Sequence, residues 1–127
     1  MLFVCVHNSG RSQMARAFLN YLSNGSIKAE SAGTIPSNSV NQTVVDAMQE
    51  IGIDISGESP KLITQEMVDR SSKVITMGCS IDEACPATFV VAEDWGLDDP
   101  SGKGVAEVRR IRDQIKERVA ILIQELG

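Results

Sequence analysis

The sequence predicts an α/β domain: a four-stranded parallel sheet flanked by helices in three layers, spanning residues 1–127. Three observations predict it. Apolar runs of strand length alternate with stretches of helical period, which favours a parallel sheet covered on both faces. Asn24-Gly25, Gly33 and Gly52 stand where the first helix, the second strand and the second helix stop, and the chain can turn there. At 127 residues and 43% apolar content, the chain can fill one core, since domains commonly run ~100–150 residues.

The elements follow in order. Leu2-Phe3-Val4-Cys5-Val6 is a continuous apolar run that meets His7-Asn8-Ser9-Gly10, so it reads as a buried strand entering a loop. Met14, Phe18, Tyr21 and Leu22 are spaced to line one face of a helix, which Asn24-Gly25 stops. Residues 26–32 form a second strand closed by Gly33. Val40, Val44, Ala47, Met48 and Ile51 make a second helical stripe, with Gly52 at its end. A short helix over residues 64–70 leads into a third strand over 73–77, and residues 89–92 are the fourth strand. Val108, Ile111, Ile115, Val119, Leu122 and Leu126 share one face of a long final helix.

Composition removes several function classes. A net charge of −5 offers no basic face for a nucleic-acid backbone. It does not oppose a small anion site, where a few oriented N–H groups outweigh the global charge. Nothing approaches the ~20 consecutive apolar residues of a membrane span, and the first apolar run is too short for a secretory signal. Three cysteines, an odd number, do not suit a secreted disulfide framework. A reducing cytoplasm is the expected location, and there loop cysteines are more often catalytic or metal-binding than structural.

The chemistry centres on Cys5-Val6-His7-Asn8-Ser9-Gly10-Arg11-Ser12, a Cys-x5-Arg-Ser arrangement between a buried strand and a helix start. A loop in that place turns successive backbone N–H groups inward and adds the helix's positive end, a cradle for a tetrahedral oxyanion. Val6 to Ser12 supply the cradle, and the planar fork of Arg11 grips two of the anion's oxygens. Cys5 faces the same positive field, which favours the nucleophilic thiolate, and Ser12 is placed to donate a hydrogen bond to its sulfur. Asn8 and Ser9 brace the loop through side-chain-to-backbone bonds, and Gly10 allows a positive φ or close approach of the anion. His7 reads as a solvent-facing loop residue. Spacing alone leaves a plainer reading, with Cys5 a small core residue and Arg11 an ordinary helix-start charge; the order of strand, loop, Arg-Ser and helix makes the motif specific.

Residues 3–15, from Phe3 through the loop to Ala15, resemble the phosphate loop of low-molecular-weight protein tyrosine phosphatases. They are more similar still to the arsenate reductases of the same fold. Glu30-Ser31-Ala32-Gly33-Thr34 and Asp94-Trp95-Gly96-Leu97-Asp98-Asp99-Pro100 extend the resemblance along nearly the whole chain. It implies arsenate, or a phosphate-like oxyanion, as substrate. Asp-Pro fixes a turn that can hold a carboxylate over the anion. The residues alone leave Asp98 and Asp99 open, and the resemblance selects Asp99 as the general acid.

Cys79 and Cys85 flank a five-residue stretch beyond the third strand. By resemblance they complete a thiol relay: Cys5 attacks arsenic, Cys79 attacks the Cys5 adduct, and Cys85 draws the disulfide outward to an external reductant. Arsenate reductases coupled to thioredoxin place six residues between their later cysteines. Other features, including Met77-Gly78-Cys79 and Cys85-Pro86, are similar to reductases that draw on a low-molecular-weight thiol. Thioredoxin and a small thiol therefore both stand as donors, and no bound cofactor is implied. Two rivals remain. A tyrosine phosphatase would use Cys5, Arg11 and Asp99 through a phosphocysteine, yet Pro100 is followed by Ser101-Gly102-Lys103 rather than the tyrosines usual in that branch. A zinc site on Cys5, His7, Cys79 and Cys85 lacks the short paired spacing of such sites and would set Arg11 beside the cation.

Overall fold

A computed structural model describes residues 1–5, 7–71, 73–77, 93–95, 97 and 103–126, with the side chains of Glu93, Asp94 and Leu126 excepted. The elements are β1 (Leu2–Cys5), α1 (Arg11–Leu22), β2 (Glu30–Gly33), α2 (Gln42–Gln49), α3 (Gln65–Asp69), β3 (Val74–Thr76), β4 (Glu93–Asp94) and α4 (Val105–Leu126). The four strands form one parallel sheet in the order β2-β1-β3-β4. The expected fourth strand over residues 89–92 lies outside the described residues; the pairing with β3 is seen at Glu93 and Asp94.

β1 is central because both of its faces are apolar. Phe3 and Cys5 point into the larger core, with residues of α1, α2 and α4. Leu2 and Val4 point the other way, against Ala32, Val74 and the Met67 and Val68 of α3. That alternation is the two-residue period of a strand covered by helices on both faces. Each such side chain taken fully from water contributes roughly 1.5–3 kcal/mol.

On α4, Val108, Ile111, Ile115, Val119 and Leu122 are all buried, as the stripe predicts. Arg112 from the same helix donates to the Ala47 carbonyl at 2.8 Å and to Glu50 at 3.0 Å. It thereby sets a positive charge at the C-terminal end of α2, where the helix dipole favours one. Arg109 adds bonds to Glu50.

One helix face and one strand start differ from the sequence reading. Tyr21 and Leu22 do not line the inner face of α1; they are 60% and 37% exposed, and Ala15, Ala17 and Leu19 join Met14 and Phe18 inside. The second strand begins at Glu30, four residues later than expected. Asn24 and Gly25 carry positive φ, while Ser23 Oγ and Asn20 Oδ1 accept the Ile27 and Ala29 N–H groups. These local bonds hold the chain out of the ladder. Among the described residues no helix is long and apolar enough to cross a membrane.

Candidate active site

In a 2-1-3-4 sheet, the connection from β1 leaves toward one neighbour and the chain returns on the other side. The crevice beyond the carboxyl ends of β1 and β3 is the switch point where such folds bind ligands. Cys5 ends β1 and Met77 follows β3, so the sequence motif opens directly onto that crevice.

Cys5 is buried, and its Sγ lies 2.8 Å from Ser12 Oγ. Asn8 Nδ2 donates to the same Ser12 oxygen at 2.7 Å. The Lys61 backbone N–H donates to Asn8 Oδ1 at 2.8 Å, which fixes the Asn8 amide with its NH2 toward Ser12. With a lone pair of Ser12 taken by Asn8, the serine hydroxyl is free to donate to Cys5 sulfur.

Arg11 opens α1 and is 5% exposed. Its Nη1 donates to the Met77 carbonyl at 2.6 Å and to the Leu97 carbonyl at 3.1 Å. The guanidinium therefore spans the gap between β3 and the chain beyond β4, on the carboxyl side of the sheet. The residue before α1 is Gly10, and no side chain caps the helix. The dipole of α1 at that end favours negative charge.

The loop is held from outside by main-chain bonds. Ser37 N–H donates to the His7 carbonyl at 2.9 Å and Asn41 N–H to the Ser9 carbonyl at 2.8 Å. His7 is half-buried, with Nδ1 3.0 Å from the Ile35 carbonyl, so it braces the loop instead of simply facing solvent. Ser9 is braced through its own carbonyl. Gly10, which allows either a positive φ or close approach of the anion, has φ −146° and so does not carry the loop's positive φ. That falls on Asn8, at 50°, where the short amide side chain makes the local bonds that offset left-handed strain. A cleft of about 430 Å³ lined by Ser9, Ser37, Ser39, Asn41, Ser56 and Glu58 among others runs along the flank of the loop.

Of the residues singled out in the sequence, Cys5, His7, Asn8, Ser9, Gly10, Arg11 and Ser12 are brought together. Val6, Cys79, Cys85, Asp98 and Asp99 lie outside the described residues. Among the described residues no group of His, Cys, Asp and Glu side chains could hold a metal ion. Sequence reasoning gave no role to Gln13, whose amide reaches the Asn8 carbonyl at 3.1 Å, nor to the carbonyls of Met77 and Leu97. Gln13 was visible as a polar residue in the first turn of an amphipathic helix; carbonyl acceptors leave no mark in a sequence.

Residues 1–127 match the profile of the low molecular weight phosphotyrosine protein phosphatases. The chain belongs to that family. Within it, an arsenate reductase of Staphylococcus aureus (strain Newman) is 40% identical over 116 residues, covering 90% of this chain and 88% of its own. A solved structure described as an arsenate reductase in the phosphate binding state is 40% identical, with a TM-score of 0.87 over 99% of this chain and 97% of its own. Another, an arsenate reductase in oxidized state, is 38% identical with a TM-score of 0.85 over the same shares. The phosphatase family thus includes reductases, and this chain is similar to them along its length.

Proposed function

We propose that this member of the low-molecular-weight phosphatase family is an arsenate reductase that converts arsenate to arsenite with Cys5 as nucleophile. The observation that carries the reading is the Asn8–Ser12–Cys5 chain of hydrogen bonds beside the buried guanidinium of Arg11, in a sequence 40% identical to arsenate reductases. That arrangement suits a sulfur anion attacking a tetrahedral oxyanion held by Arg11 and the backbone N–H groups of Val6 to Ser12.

The Cys5 thiolate forms a bond to arsenic while an arsenate oxygen leaves as water, with Asp99 supplying the proton. Cys79 thiolate then attacks Cys5 sulfur, and the electron pair of the sulfur–arsenic bond passes to arsenic as arsenite departs. Two thiols are oxidised to the Cys5–Cys79 disulfide, and arsenic takes up the two electrons. Attack by Cys85 on Cys79 releases Cys5, and an external thiol, thioredoxin or a low-molecular-weight one, reduces the final disulfide. Such a relay suits a reducing cytoplasm.

The test is arsenite formation from arsenate, with a thioredoxin system and small thiols supplied separately, for the wild type and for Cys79→Ala and Cys85→Ala. Turnover that either substitution abolishes, with Cys5 intact, supports the relay. Cys5-dependent hydrolysis of aryl phosphate with no arsenite from any donor would replace the reductase with a phosphatase.

A further inference from the structure

We infer that Gln13 is a positioning residue for Cys5, acting through Asn8 and Ser12. Gln13 lies in the first turn of α1 and is only 1% exposed. One end of its amide faces three oxygens: the Asn8 carbonyl at 3.1 Å, Asn8 Oδ1 at 3.2 Å and the Ser59 carbonyl at 3.4 Å. Only an NH2 group can meet three acceptors, so the surroundings dictate the orientation of the amide.

Every donor in the resulting chain then points the same way. Gln13 gives protons to Asn8, Asn8 gives one to Ser12, and Ser12 is left to give its own to Cys5. Donors aligned head to tail polarise one another, and the sulfur at the end of the row receives the effect. Gln13 also grips Asn8 twice, on the main chain and on the side chain. That double grip fixes both the left-handed backbone at φ 50° and the direction in which the Asn8 amide points. A glutamine in the first turn often reaches back to the helix cap. Here Oε1 is buried with no partner among the described residues, so the side chain's hydrogen bonding is directed to Asn8 and Ser59.

The inference rests on Cys5 being the reactive thiol, and the experiment separates it from the choice of substrate. The rate of Cys5 alkylation by iodoacetamide at neutral pH, resolved by peptide mass spectrometry on the full chain, is compared for wild type, Gln13→Met, Ser12→Ala and the double variant. Melting temperatures are taken alongside. Loss of one neutral hydrogen bond predicts a slowing of about 2- to 10-fold for Gln13→Met. The double variant should be no slower than Ser12→Ala, because both substitutions cut the same chain. Gln13→Glu, which keeps the shape and replaces the NH2 by oxygen, serves where Gln13→Met does not fold. Wild-type alkylation in either folded variant overturns the inference, as does additive slowing in the Ser12→Ala background. A wild type that makes no arsenite, yet whose Cys5 reactivity still depends on Gln13, overturns the reductase reading and leaves this one standing.

Discussion

Arg11 donates from Nη1 to the carbonyl oxygen of Met77 at 2.6 Å. The side chain assigned to the anion is therefore also tied to the end of β3, and through Leu97 to the chain beyond β4. A buried guanidinium anchored in this way is in place before the anion arrives, so little reorganisation is left for the binding step.

Arg11→Lys should weaken binding of inorganic phosphate by about 10- to 100-fold, the worth of one charge-assisted hydrogen bond. A lysine is a point charge without the planar fork and cannot meet two backbone carbonyls and two anion oxygens together. Isothermal titration reads the change, and unchanged affinity would remove Arg11 from the anion site.

Cys5→Ser should lower arsenite formation by about 10⁴-fold or more, as loss of a nucleophile does elsewhere, while phosphate binding survives. The hydroxyl replaces the sulfur in the contact with Ser12 but does not ionise at neutral pH. Retained turnover would shift the chemistry to another thiol.

Glu50 gives a pH signature away from the site. Its bonds with Arg109, then Arg112, hold its carboxyl below the ordinary carboxylate range. The folded state thus favours the ionised form. Its contribution is fully present above the ordinary value of 4.5 and is lost as pH falls through the lower folded-state value. Wild type should melt above Glu50→Gln at pH 7, and the gap should close in acid. A gap that persists at the lowest pH where both fold would count against the ion pair.

Core and backbone can be separated by two substitutions. Ile115→Ala, at a fully buried position on α4, should cost about 2–5 kcal/mol in denaturant unfolding. Gly52 has φ +82° with open space where a Cβ would stand, so Gly52→Ala should cost only the backbone term, about 1–2 kcal/mol. Equal costs would mean that a Cβ at Gly52 meets packed atoms as well as backbone strain.

Periodicity made the sheet and the long helix legible: the stripe on α4 and the run at β1 needed only burial on one face or two. Tyr21 and Leu22 misled because they continue the apolar pattern past the point where α1 leaves the core. Asn8 and Gly10 show a different limit. Glycine is the usual bearer of positive φ, but here Asn8 adopts it because Lys61, distant in sequence, supplies a hydrogen bond to its amide. The loop's brace by Ser37 and Asn41 is main-chain throughout, and main-chain partners are decided by the fold and not by side-chain identity.

By accepting from one guanidinium, the Met77 and Leu97 carbonyls add a side-chain tie between the two mouths of the intervening stretch, next to the pairing of β3 with β4. The entropy of closing such a span changes only slowly with its length. Residues can therefore be gained or lost between those mouths with little effect on the grip of Arg11. The spacing of five residues between Cys79 and Cys85 lies in that stretch: in the proposed relay, changing it would alter the reach of the thiols while leaving the anchor of Arg11 untouched.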